Sequence, residues 1–128
     1  MPLTMKLELV FVPVADVDRA KAFYVDRVGF HADHDHQVNP ELRFVQLTPP
    51  GSGCSIAIGT GLTEMAPGTL RHLQLVVDDC RATHAELAAR GVPVSDVEEL
   101  AWGIFCHFAD PDGNTWAVQE MPYRRASS

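Results

Sequence analysis

Six histidines and three cysteines are the side chains in this 128-residue chain with the strongest metal-binding, acid-base or nucleophilic chemistry. His34 and His36 stand two apart within Asp33-His34-Asp35-His36. In a strand their rings project to one face, as a chelating pair does, although a polar edge strand left in water has the same pattern. No third ligand stands at a telling spacing. His84 falls in a helical stretch and reads as a surface or half-buried residue. His107 follows Cys106, but adjacent strand residues point to opposite faces, so the two do not form a nucleophile and base pair. Cys54, Cys80 and Cys106 are widely spaced with no Cys-x-x-Cys, the pattern of free thiols in a reducing compartment such as the cytoplasm.

The elements that must position these residues follow from composition and patterning. With 46% hydrophobic and 21% charged residues, the chain can fill one core without disulfides or metal staples. Ten basic against seventeen acidic residues give a net charge of −7. That balance argues against nucleic acid and anionic membrane, because the one basic cluster is Arg124-Arg125 in the tail. Lys6 and Glu8 interrupt the start where a signal peptide needs an apolar run, and no apolar stretch reaches membrane-spanning length.

The first half reads βαβββ. A β-branched strand over 7–14 runs into Asp16 as a helix cap, a helix over 16–28 stops at Gly29, and strands follow over 30–36, 41–48 and 54–59. Pro49-Pro50-Gly51-Ser52-Gly53 turns the last two into a hairpin. After a Gly/Pro-containing linker the order repeats: a strand over 71–77, Asp79 as cap, a helix over 79–90 with Thr83, Leu87 and the alanines inward, and Gly91 as its stop. Strands over 92–97, 103–109 and 115–120 complete it, the last two joined by Asp110-Pro111-Asp112-Gly113-Asn114. An offset of 63 residues superimposes Val14 on Val77, Asp16 on Asp79, Ala22 on Ala85 and Arg27 on Arg90. The expected architecture is α+β, two βαβββ modules in one domain over 1–128. Module 1 covers about 6–59, the linker 60–69, module 2 about 70–121 and the tail 122–128.

Pro13-Val14-Ala15-Asp16 leading to Ala22-Phe23-Tyr24 and Val28-Gly29-Phe30 forms one set of motifs. His72-Leu73-Gln74-Leu75-Val76-Val77-Asp78-Asp79 and Trp102-Gly103 with Asp110-Pro111-Asp112-Gly113-Asn114 form the others. In this order, over about residues 7–121, they resemble the vicinal-oxygen-chelate superfamily of glyoxalase I, bleomycin-resistance proteins and extradiol dioxygenases. The resemblance implies curved mixed sheets around a shared cleft and homodimers whose subunits complete or cover each other's clefts. In the metal-dependent relatives, the first and fourth strand of each module supply one ligand apiece. Those positions here are Leu9, Ala57, His72 and Ala117, and only His72 carries a donor. A catalytic divalent site needs about three protein ligands, so no metal and no cofactor is expected.

Strand alternation then sets the cleft lining: Leu9 and Phe11, Ala57, His72 and Gln74, and Thr115, Ala117 and Gln119, with Leu73, Leu75, Val77, Trp116 and Val118 turned to the core. Trp102, before a strand, stacks on a planar ligand at the rim or serves as a core or dimer-interface residue. An apolar cleft with a few polar groups is the composition of a small-molecule pocket. The reading favoured is a metal-free binding protein of the bleomycin-resistance kind for an aromatic or amphipathic ligand. The alternative is a lyase, isomerase or dioxygenase of the same superfamily, with His72 as catalytic residue, either joined at a metal by His34, His36 or His107 or acting as a metal-free base. A third is a vestigial cleft in a protein that acts through assembly alone.

Overall fold

The computed structural model describes residues 3–122; the tail beyond, with Arg124-Arg125, lies outside the described residues. Eight strands and two helices follow in the order β1 (Leu9–Phe11), α1 (Val17–Ala22), β2 (His31–Asn39), β3 (Leu42–Thr48), β4 (Ser55–Thr60), β5 (Leu73–Val77), α2 (Cys80–Ala89), β6 (Glu98–Leu100), β7 (Gly103–Ala109) and β8 (Thr115–Glu120). They form two four-stranded mixed sheets of the same topology, β1-β4-β3-β2 and β5-β8-β7-β6, with β1 parallel to β4 and β5 parallel to β8. The βαβββ order is thus realised twice.

The local signals that set this order are the expected ones. Asp16 and Asp79 each accept a hydrogen bond from the backbone N–H three residues on, at 3.0 Å, which satisfies a donor that the first helical turn leaves free. Gly29 and Gly91 take left-handed φ of 96° and 82°, which a side chain would resist. The two stops also pack on each other reciprocally. Arg27 donates to the Gly91 carbonyl at 3.2 Å, and a Cβ at Gly29 would meet Arg90 Nη1 at 2.8 Å. Arg27 and Arg90 are the residues that the 63-residue offset superimposes.

Four elements differ from the sequence expectation. The first strand is three residues rather than eight, because Pro13 has no N–H to donate and pairing stops after Val12 bonds the Ala57 carbonyl. The first helix widens after Ala22 into a π-helix over Phe23–Val28, with Gly29 N–H bonding the Tyr24 carbonyl five residues back. That turn buries two consecutive aromatic residues, Phe23 and Tyr24. No strand runs over 92–97: Val92 and Val94 pack into the core, Val94 makes only an isolated bridge to Phe108, and the edge strand is Glu98–Leu100. In α2 the alanines face water; Cys80 and Leu87 are the buried positions, one face at i and i+7.

One hydrophobic cluster joins the helical faces of both sheets, with Val45, Leu47, Ile56 and Ile58 from the first and Cys106, Phe108, Trp116 and Val118 from the second. A buried polar staple crosses it. Tyr24 donates its hydroxyl proton to Asp110 at 2.8 Å and accepts from Trp116 Nε1 at 2.9 Å, while Asn114 donates to the Pro13 carbonyl at 2.8 Å. Among the described residues no helix is long and apolar enough to cross a membrane.

Candidate functional site

The face of each sheet turned away from the core carries the candidate residues. On β8 the core face holds Trp116 and Val118, so alternation puts Thr115, Ala117 and Gln119 on the other side. Ala117 is in register with Gln74 on β5 and with His107 on β7, and Gln119 is in register with Phe105. Ala117 is fully buried yet stands outside the core cluster, as a small residue between two larger cross-strand neighbours does. The same holds in the first sheet for Ala57, 1% exposed and flanked by Phe11 and Gln46.

His72 departs from the strand geometry assumed for it. Its φ is +65°, the one positive value among non-glycine residues of the described chain, and β5 begins only at Leu73. The neighbouring chain is tied to the β7–β8 turn: Leu70 N–H bonds Asn114 Oδ1 at 3.1 Å and Thr115 N–H bonds the Leu70 carbonyl at 3.1 Å. His72 N–H bonds Thr115 Oγ1 at 2.8 Å. Thr115 therefore holds the His72 backbone and is not among the cavity's lining residues.

A cavity of about 280 Å³ opens on this face of the second sheet. It gathers four residues expected from sequence, His72, Gln74, Trp102 and Gln119, with four others, Glu98, Leu100, Phe105 and His107. Trp102 is 59% exposed, so it is a rim residue and not part of the core. The rings of His72 and His107 lie 6.2 Å apart, and those of Phe105 and His107 are nearly parallel, 10° between planes and 6.5 Å between centroids. Gln74 donates to Gln119 Oε1, and Gln119 Nε2 donates to the Trp102 carbonyl at 3.3 Å.

Leu9, Phe11 and Ala57 are on the first sheet and do not line this cavity. A second groove of about 250 Å³ runs where the two sheets meet, lined by Leu7, Val10 and Ser55 from one side and His72, Gln74 and Leu75 from the other. His34 and His36 share a face of β2, rings 5.8 Å apart, at the far edge of the first sheet. Among the described residues no group of three or more His, Cys, Asp or Glu is arranged to hold a metal ion. Cys80 and Cys106 are buried, their sulfurs 3.7 Å apart; burial, more than the neighbouring thiol, pushes the Cys106 thiol up to about 12. Phe105 and His107 were recoverable from alternation against Cys106 and Phe108. Glu98 and Leu100 were not, because their strand was expected over 92–97.

A model of the Glyoxalase/Bleomycin resistance protein/Dioxygenase superfamily matches residues 6–118. Among solved structures, TnmS3, an antibiotic binding protein from Streptomyces sp. CB03234, is 36% identical with a TM-score of 0.85, covering 94% of this chain and 99% of that one. A glyoxalase/bleomycin resistance protein from the same organism is 38% identical with a TM-score of 0.79, covering 89% and 99%. Among known sequences, the uncharacterized protein YetH of Bacillus subtilis (strain 168) is 29% identical over 115 residues, 87% of this chain and 94% of that one.

Proposed function

The chain belongs to the Glyoxalase/Bleomycin resistance protein/Dioxygenase superfamily, and within it we propose a small-molecule-binding protein that holds an aromatic or amphipathic ligand without a metal. The observation that carries this reading is the chemistry of the donor set. Of the four positions that metal-dependent relatives use, Leu9, Ala57 and Ala117 have no donor atom, which leaves His72 alone. The family's metal does not fit these residues. The cavity on the second sheet supports the same reading: Trp102, Phe105 and Leu100 offer apolar area, and the glutamines and histidines offer orientation. TnmS3 being an antibiotic binding protein agrees with it. In this reading the protein works as a homodimer, and its three free cysteines suit the cytoplasm.

The adjacency of His107 to His72 favours the enzyme as second reading, since it gives His72 one imidazole partner. The substitution Ala117→Glu separates the two, because position 117 is in register with both Gln74 and His107. In a binding protein it sets an unpaired carboxylate between the lining residues Gln74 and His107, and affinity for a neutral planar ligand such as 1-naphthalenemethanol falls by about 1–3 kcal/mol, roughly 5- to 150-fold. Calorimetric titration of wild type and variant with that ligand and with Zn²⁺ and Ni²⁺, with and without EDTA, is the test. Unchanged ligand binding with tighter metal binding in the variant, or ligand binding by the wild type that EDTA abolishes, overturns the proposal.

A further inference from the structure

We propose that the cavity on the second sheet selects ligands whose planar aromatic part carries a protonated amine, and that Glu98 is the residue that makes the selection; this rests on the small-molecule reading above. Three observations carry it. First, Glu98 is in register with Phe105 across β6 and β7, so the carboxylate stands beside an aromatic platform formed by the nearly parallel rings of Phe105 and His107. Glu99, the next residue, points the other way and meets Arg81 at 3.4 Å. Second, Glu98 is the one carboxylate lining the cavity, no Lys or Arg lines it, and among the described residues no salt bridge includes Glu98. The other titratable groups lining the cavity are His72 and His107, so a ligand cation meets no lysine or arginine there.

Third, the amides of the floor have a fixed polarity. The Trp102 carbonyl can only accept, so Gln119 turns Nε2 toward it; Gln119 Oε1 then accepts from Gln74 Nε2, and Gln74 Oε1 has no hydrogen-bond partner among the described residues. Wall and floor both present acceptors, and the complementary ligand supplies donors. A planar ring with an ammonium group satisfies both at once: the ring stacks on the platform beside Trp102, and N–H groups reach Glu98 and Gln74. A carboxylate of the same shape would be repelled by Glu98 and by Gln74 Oε1, and only the imidazole N–H groups of His72 and His107 would offset that.

The test uses three probes of one shape, 1-naphthylmethylamine, 1-naphthalenemethanol and 1-naphthoate, titrated into the full chain and followed by protein NMR shifts at neutral pH. The amine is expected to bind about fivefold more tightly than the alcohol, the size of an exposed charge pair, with the acid weakest. Glu98→Gln brings the affinity for the amine down to that for the alcohol, which removes the preference. Glu99→Gln changes the net charge equally and keeps the preference, which separates a local contact from the general attraction of an acidic protein. Equal binding of the three probes, a preference that survives Glu98→Gln, or one that Glu99→Gln also abolishes overturns the Glu98 assignment while the small-molecule reading stands. If none of the three probes binds, both fall.

Discussion

Removing one oxygen atom from the core, in Tyr24→Phe, is expected to destabilise the protein by about 3 kcal/mol. Tyr24 has no exposed surface, and its hydroxyl is both donor to Asp110 at 2.8 Å and acceptor from Trp116 Nε1 at 2.9 Å. Asp110 survives the change with its other bonds, from the backbone N–H of Asp112 and Asn114 and from Asn114 Nδ2, so its loss is one bond to a carboxylate, about 1.5 kcal/mol. Among the described residues the Trp116 N–H has no other hydrogen-bond partner, so it becomes a buried unsatisfied donor, which adds about 1–2 kcal/mol. For a chain of this length the sum corresponds to a fall in Tm of about 10 °C. Burial, then the charge of Asp110, holds the Tyr24 hydroxyl well above the usual phenol range, so the folded state keeps a proton that the unfolded chain releases above about pH 10. Wild-type stability is therefore fully present below that pH and falls above it, and the gap between wild type and Tyr24→Phe narrows by about 1.4 kcal/mol per pH unit. Urea unfolding at pH 7, 10 and 11 measures both quantities. A loss below about 1 kcal/mol at pH 7, or a gap that stays constant to pH 11, refutes the assignment of this staple.

Two further expectations concern the rest of the molecule. The Asp35 carboxyl is held well below the usual carboxylate range by hydrogen bonds from Arg43 and then Lys21, so its contribution is present above about pH 4 and is lost as pH falls below it. Arg43→Met should lower stability by about 1 kcal/mol at pH 7 and by less at pH 2 in urea titrations, and an equal loss at both would contradict it. Sedimentation equilibrium at micromolar concentration should give twice 14.1 kDa, and a monomer would remove the homodimer from the proposal.

The fold was legible where its determinants are local. Asp16 and Asp79 cap because a short carboxylate next to a helical run has a free N–H within reach, and Gly29 and Gly91 stop helices because only glycine takes their φ without strain. The π-helical turn was not legible from apolar spacing, since Phe23 and Tyr24 are adjacent and a 3.6-residue period can direct only one of them fully inward. What inserts the extra residue is the demand of the Tyr24 hydroxyl for Asp110, eighty-six positions on.

The same division runs through the site. Its floor was readable because alternation propagates outward from the Asp110-Pro111-Asp112-Gly113-Asn114 turn: Gly113, at φ 99°, starts β8 in a register that sends Ala117 and Gln119 one way and Trp116 and Val118 the other. Its wall was not. Val92 and Val94 look like a strand because both are apolar with one residue between, but Pro93 separates them and both are consumed by the core. The chain then pairs through Glu98, Glu99 and Leu100, and a strand of two acids and one leucine has no apolar face to announce it. Its two carboxylates instead point to opposite sides, Glu99 toward Arg81 and Glu98, with Leu100, toward the cavity. An edge strand that puts one of its carboxylates beside the cavity is thus hidden from hydrophobic patterning by the very residue that gives the cavity its charge.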